Sequence, residues 1–547
     1  MPKRISTLPM SDFQGGLNLN ADPFQLGRNE TSDCLNVDFD PLGGFHQRDA
    51  ATRVNATALA SAVTSLWGFY TPNGNTRQVI VQQGQTIAYS TNDAASFTTV
   101  STASAPWSTS FTGIMRAATF RNPQSLGTAV SYIQRAGAST AIRWDGTTGA
   151  ALTDPAASSW SETIGTRTHG KMPPAKFIAA HRDFIFVANT TENGVNQANR
   201  VRFSHQGFPE DWRSDDYIDI ESGAGDSITG IASWREGLLV FKNNAVFLIR
   251  GYDADTFDVV NVSKTIGAVS QDAVAVCDAG VYFFSWPEGV YFYDGSGIHD
   301  IFVNLRPMVE DGTIDRSQRD KITVSWLKQR LHVSVPADSL ISGNTETYVY
   351  DPMLISRSHS GGWTRYQFDG FGLGIGLEYS PPSYDSRWLA VWYGNNRTRI
   401  VELHTNGGMD NFSGTSVPII TRYSTPWVDL GNPALVKSWR RPVFVFGRDV
   451  DYDLSCTSYR DYDYTNAGTT FVLTSDTGAG TALIWNSGKW DEKVWALGDG
   501  LPQGIDRGSR LGRATAISLK ILGPTTTSAK WNVNSITWKY IPKRVRS

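Results

Sequence analysis

The feature that most limits what this chain can fold into is a rhythm. From about residue 63 onward, short runs rich in Val, Ile, Phe and Tyr alternate with Gly, Asn, Asp and Pro. "SITGIASWREGLLVFKNNAVFLIRGY" holds three such runs broken by "REG" and "KNN", and "VAVCDAGVYFFSWPEGVYFYDGSGIHDI" holds three more, broken by "DAG" and "PEG". Runs of about 4–8 residues between turn formers mark strands joined by hairpins. A helix needs an apolar repeat of about 3.6 residues. The best such stretch, "LRPMVEDGTI" near residue 305, is short. Strand clusters recur about every 40–55 residues, near the ~40–50 of propeller blades, and six or seven lie between about residues 60 and 400. An array of β-sandwiches is the structural alternative.

The turns repeat as well. An aromatic–Asp pair closes a run at Trp144-Asp145-Gly146, Tyr293-Asp294-Gly295 and Tyr350-Asp351-Pro352. Tyr89–Val100 resembles a degenerate Asp-box, with Asn92, Ala94 and Phe97 at the Asp, Gly and Trp positions. After about residue 415 the texture changes to "TTFVLTS", "TALIW", "AISLKILGP" and "WNVNSITWKYIP", enough for one sandwich, with "GIDRGSRLGRATA" as a long connection inside it. The expected fold is all-β: an extended N-terminal arm over 1–50, a β-propeller-like body over 51–415 with six or seven blade-like units, and a C-terminal β-sandwich-like domain over 416–547.

Composition supports strands and narrows function. Aromatic residues make up 12 % and charged residues only 18 %, below the ~25 % of ordinary soluble domains. A net charge of −3 argues against a protein that grips nucleic acid by bulk charge. The tail "KYIPKRVRS", Lys539–Ser547, is the local exception, read as a solvated terminus or a contact for nucleic acid or an acidic partner. Cys34, Cys277 and Cys456 are widely spaced, which fits neither a zinc site nor a disulfide scaffold and points to assembly in a reducing cytoplasm. "MPKRISTLPMSDF" lacks the apolar core of a signal peptide, and no run of ~18 apolar residues could span a membrane.

Candidate chemistry is thin. Acids crowd Glu210–Glu221 (with Asp215 and Asp216) and Asp253–Asp258, where a glycosidase would need paired carboxyls at a defined spacing. Both stretches read as solvated loops, and the second lacks the Gly and Glu that a calcium loop requires. A sialidase would need clustered arginines and a Tyr nucleophile, which sequence alone does not place together. His46, His169, His181, His205, His299, His332, His359 and His404 are scattered, without metal or nucleophile-elbow spacing. "GFGLGIG", Gly370–Gly376, opens no helix and reads as a strand edge or bulge, and the Asn29–Thr31 sequon has meaning only on a secretory route. Trp485, Trp490 and Trp495 are weighed as a sugar platform against sandwich core and rim. No catalytic, cofactor-binding or metal-binding residue is assigned, and the chain is expected not to be an enzyme.

The order of these motifs resembles a family. "FQGGLN", "LNVDFDPLGGFHQRDA", "NRVRFSHQGFPEDW", "ITGIASWREGLLVFKNNAVFLIRG", "IGAVSQDAV", "GVYFFSWPEGVYFYDGSG", "STPWVDLGNPALVKSWRRPVFVF" and "NSITWKYIP" follow one another as in structural tail proteins of tailed bacteriophages, most like the tail nozzle (tubular tail protein B-like) of short-tailed phages. The resemblance implies a virion protein made in the host cytoplasm and forming a homo-oligomeric ring, usually of six copies, at the distal tail. It also implies contacts with adaptor, tail tube and fibres, and a gated lumen for transient passage of DNA. The chain is shorter than the larger nozzle proteins. A minor tail or tail-tip protein of a long-tailed phage that binds a host receptor or glycan is the alternative, and a glycan-hydrolysing propeller enzyme a third. On this reading the glycine-rich leader, fixed by Phe13, Leu17, Leu35 and Phe39, wraps the first blade or reaches a neighbouring subunit, and its deletion should impair ring assembly.

Overall fold

The computed structural model describes residues 5–72, 74, 76–100, 113–121, 129–135, 140–152, 169–221, 225–235, 237–354, 362–381, 385–447, 452–475, 503–525 and 530–542. Six antiparallel four-stranded sheets follow one another along the chain. A seventh takes Leu373–Tyr379, Arg387–Trp392 and Arg399–Thr405, then borrows its fourth strand, Ala50–Arg53, from near the start of the chain. The first strands of the seven sheets (Val63–Tyr70, Met115–Arg121, Ala175–His181, Ile228–Trp234, Val274–Val276, Thr323–Leu327 and Leu373–Tyr379) touch in turn, and the last touches the first. This is a closed seven-bladed β-propeller, so the upper of the two expected blade numbers holds.

Each blade is held to the next by apolar side chains facing out of its sheet. Val79 and Val81 of the first blade meet Leu389, Val391 and Ile400 of the seventh in one buried cluster. The aromatic–Asp turns occupy equivalent places, between the third and fourth strands of blades two, five and six. The degenerate Asp-box sits at the same place in blade one. There Ser90 Oγ accepts from Ala94 N, Asn92 Oδ1 accepts from Ser96 N, and Ala94 holds the left-handed φ of +67° that its Gly position requires. The stretch near residue 305 yields one α-helical turn, Pro307–Glu310.

The C-terminal part is a two-sheet sandwich. One sheet orders Gln503–Arg507, Val443–Gly447, Ser535–Pro542, Lys437–Trp439 and Gly512–Ala514. The other orders Cys34–Leu35, Arg422–Ser424, Ile517–Leu522, Tyr452–Arg460 and Thr470–Ser475. Trp439, Phe444, Leu454, Ile521 and Trp538 fill the space between them. "GIDRGSRLGRATA" is therefore no long connection: it carries two of these strands, because its backbone pairs with Val443–Gly447 and Lys437–Trp439.

The leader neither wraps the first blade nor stands free. Ser6–Met10 pairs with Ser535–Pro542 in the first sandwich sheet, Cys34–Leu35 pairs with Arg422–Ser424 in the second, and Ala50–Arg53 completes blade seven. Phe13, Leu17, Leu35 and Phe39 are all buried, with Phe13 edge-on to Phe45 and Tyr423 at 4.9 and 5.8 Å. Gly16, at φ +65°, lies so close to blade six that a Cβ there would meet the Trp363 carbonyl oxygen at 2.6 Å. The glycine pairs thus serve close backbone approach.

Three leader carboxylates bind the parts together. Asp33 reaches Arg365 of blade six (3.4 Å) and Arg422 of the sandwich (2.6 Å). Asp38 takes Arg330 (3.1 Å) and the Tyr366 hydroxyl, both from blade six. Asp49 meets Lys328 of blade six (3.0 Å), His404 of blade seven (3.6 Å) and Lys530 of the sandwich edge. Arg48, 1 % exposed, adds a bidentate pair with Asp410 and donates to Asn36 Oδ1 (2.8 Å) while lying over the Phe368 ring at 4.5 Å.

Candidate functional site

Two cavities stand out. One, of about 340 Å³, lies on the propeller axis and is lined by first-strand residues such as Trp67, Ala117, Ile178 and Trp326. Arg116 of blade two forms an ion pair across it with Asp272 at the start of blade five, the second arm spanning 2.7 Å. Blades two and five lie nearly opposite in a ring of seven, so this pair bars the axis.

The other is a groove of about 730 Å³ between the leader and the sandwich. The edge strand Ser6–Met10 and the turn through Phe24 form one wall, and Pro426–Gly431 with Tyr462 forms the other. Phe24 is 66 % exposed, although its ring centroid lies 4.1 Å from that of Tyr462, whose ring stands 5.1 Å from Trp427. Asp429 accepts from the Tyr462 hydroxyl (3.2 Å) and from Gly431 N–H (2.9 Å). Burial and that carboxylate push the Tyr462 phenol up to about 12, so it remains a donor. Leu430 and Tyr462 both line the groove with φ values of +60° and +63°. Bulky residues avoid this region at a cost of order 1–3 kcal/mol, and such strain collects at ligand-holding sites.

Residues singled out in the sequence mostly have structural posts. Glu210 accepts from the Tyr132 hydroxyl at 3.0 Å and sits 3.3 Å from Arg143. Asp219 holds Arg200 at 2.7 Å, Asp211 and Asp216 are buried, and Asp215 is exposed. Asp253 accepts from Thr256 N–H (2.9 Å) and closes its own turn, while Asp258 lies 3.7 Å from Arg250 on the surface. His181 bonds Ser233 (2.9 Å), His205 stacks on Phe208, His299 meets Asp294 (3.0 Å), and His46 lies in the strand Phe45–Gln47. His332 and His404 approach each other, ring centroids 5.7 Å apart, beneath the Asp49 network. His169 contributes backbone pairing with Arg213. Among the described residues no group of three or more His, Cys, Asp or Glu could hold a metal ion.

The three cysteines are buried and form no disulfide, and burial pushes the Cys34 thiol up to about 11, which removes it as a nucleophile at neutral pH. The Gly370–Gly376 stretch enters the strand Leu373–Tyr379 with a register shift between Leu373 and Gly376, a bulge. The Asn29 amide of the sequon donates to Asp12 at 3.3 Å. His359, the Trp485–Trp495 platform and the basic residues beyond Pro542 lie outside the described residues. Among those described, no helix is long and apolar enough to cross a membrane.

No family model matches the chain, and no curated protein matches it either. Among solved structures it is similar to YCF48 from Cyanidioschyzon merolae, at 10 % identity and a TM-score of 0.37 over 65 % of this chain and 98 % of that one. It is also similar to the Cps50 (Swd1) β-propeller domain of Myceliophteria thermophila, at 10 % identity and a TM-score of 0.36 over 64 % and 99 %. The propeller itself is defined by the seven sheets and their closed ring of first strands.

Proposed function

We propose that this chain is a structural subunit of a phage-tail assembly, a nozzle-like ring at the distal tail through which DNA leaves the virion. The observation that carries the reading is the joint. The leader, whose "FQGGLN" and "LNVDFDPLGGFHQRDA" bear the family resemblance, ties propeller to sandwich through Asp33 and Asp49, while Gly16, Asp38 and Arg48 seat it against the propeller. A subunit that must keep its shape while DNA is forced past it needs its parts fixed to one another, and this joint supplies that fixing.

The barred axis refines the reading. With Arg116 and Asp272 across it, the propeller does not itself carry DNA; the lumen has to run between subunits. Heterologous contacts that close by rotation make such a ring. A subunit with net charge −3 suits a lumen that releases DNA, since neutralised phosphates would hold it back. Electron microscopy of the purified protein tests this: closed rings with an open lumen are expected, and a population that stays monomeric at micromolar concentration refutes it.

The groove favours a second reading, a tail-tip protein that recognises a surface glycan. Binding of host polysaccharide by a monomeric chain would decide for it.

A further inference from the structure

We infer that the groove between leader and sandwich is a carbohydrate site that takes a neutral or amino-bearing oligosaccharide. This goes beyond the ring reading and does not rest on it. Sugar rings present C–H faces that lie against aromatic rings, and hydroxyls that bond polar groups around them. Phe24 supplies the exposed face, backed by Tyr462 at 4.1 Å, and Trp427 stands behind Tyr462 at 5.1 Å.

Polar groups flank that floor. Asp12 accepts from Gln14 N–H (3.0 Å) and from the Asn29 amide (3.3 Å), Glu30 from Gly27 N–H (2.8 Å), and Asp429 from Gly431 N–H and the Tyr462 hydroxyl. All these donors are neutral, and each carboxylate keeps lone pairs for hydroxyl or ammonium donors. Arg28, exposed at the rim, can donate in turn. The groove's volume of about 730 Å³ falls within the ~300–1,000 Å³ of small-molecule sites.

Other occupants fit less well. Three carboxylates repel phosphates, which disfavours nucleic acid, and equally repel acidic sugars. The wall strand Ser6–Met10 contains Pro9, which has no N–H to offer a peptide strand added along that edge.

The test uses the full chain, titrated with cellotetraose and with the tetrasaccharide of glucosamine, whose free amines are protonated at neutral pH, read by calorimetry and tryptophan fluorescence. Saturable binding of at least one sugar is expected, weakened tenfold or more by Phe24→Ala and by Asp429→Asn, and unchanged by Tyr252→Ala in a blade-four loop. Circular dichroism checks that the variants fold; Phe24 is exposed enough for its loss to be tolerated. Binding of neither sugar by the unaltered chain, or binding that survives Phe24→Ala intact, overturns the inference. If the unaltered chain binds no sugar while Phe24→Ala breaks an oligomer in light scattering, the groove is an interface between copies: the inference fails and the ring reading stands. Sugar binding by a chain that stays monomeric has the opposite meaning.

Discussion

Arg48 shows how much one buried charge can decide. Its guanidinium is held by Asp410, Asn36 and backbone carbonyls, with Phe368 against its face, and Asp410 in turn accepts from Ala51 N–H in the strand that completes blade seven. Removing one member of such a pair leaves the other charged in a dry site, which costs about 3–5 kcal/mol, whereas replacing both by apolar groups is often close to neutral. Arg48→Met should therefore lower unfolding stability by about that much in urea titrations, and Arg48→Met with Asp410→Leu should recover most of it. A loss under about 1 kcal/mol for the single change would count against this account. His332 makes a second case. Burial, with help from His404 and Arg330, pushes its imidazole down to about 3 from 6.5, and burial beside Arg182 pushes His181 down to about 4. Well above pH 6.5 both are neutral folded or unfolded. Below it the unfolded chain takes up protons that the folded chain refuses, so stability falls with pH by up to about 1.4 kcal/mol per unit for each histidine. Denaturation at pH 7.5 and 5.5 should show the fall, and His332→Gln should remove about half of it, leaving the part due to His181.

Turns and close contacts govern at the scale of the element. Asp145 accepts four bonds from the N–H and hydroxyl groups of Thr147 and Thr148, all between 2.8 and 2.9 Å, which hold its carboxyl down at about 2 against the pull of partial burial. Asp145→Ala should cost about 1 kcal/mol, read as a lower urea midpoint at unchanged slope. Gly16→Ala should cost more, about 2 kcal/mol or above, because the new methyl meets the Trp363 backbone, which cannot swing aside as a side chain could. These elements also show what could be read beforehand. The aromatic–Asp turns at 144, 293 and 350 were legible, since the same local chemistry recurs at the same place in each blade. The partnership of Ser6–Met10 with Ser535–Pro542 was not, because strand pairing between distant segments leaves no local trace. Nothing local links Arg48 to Asp410, 362 positions away in the chain. The groove was hidden for the same reason: Phe24 looks like a stray aromatic in a polar leader, and Tyr462 like one of the two tyrosines in "DYDYT".

For the whole molecule, the leader couples two bodies that a reading by domains would separate. Its strands belong to both sandwich sheets and to blade seven, and Asp33 and Asp49 each touch propeller and sandwich together. Calorimetry should accordingly show one cooperative transition, and two well-separated ones would mean that the leader does not couple them. Deletion of residues 1–50 becomes a different experiment from the one the sequence suggested: it removes strands from the chain's own core, so loss of folding should precede any effect on assembly. The same threading bears on how the protein is made. Thr31 Oγ1 donates to the Ser424 carbonyl 393 positions away, and Asp49 meets Lys530 across 481 positions. Blades one to six can form as they leave the ribosome, but the leader, synthesised before them, completes its pairing only when Ser535–Pro542 has been translated. Until then Phe13, Phe39 and Phe45 lack their full cover, so folding closes only once Ser535–Pro542 is available. Newly made chains should therefore pass through a chaperone-dependent interval, whose length is set by translation of the stretch from blade six to Ser535–Pro542.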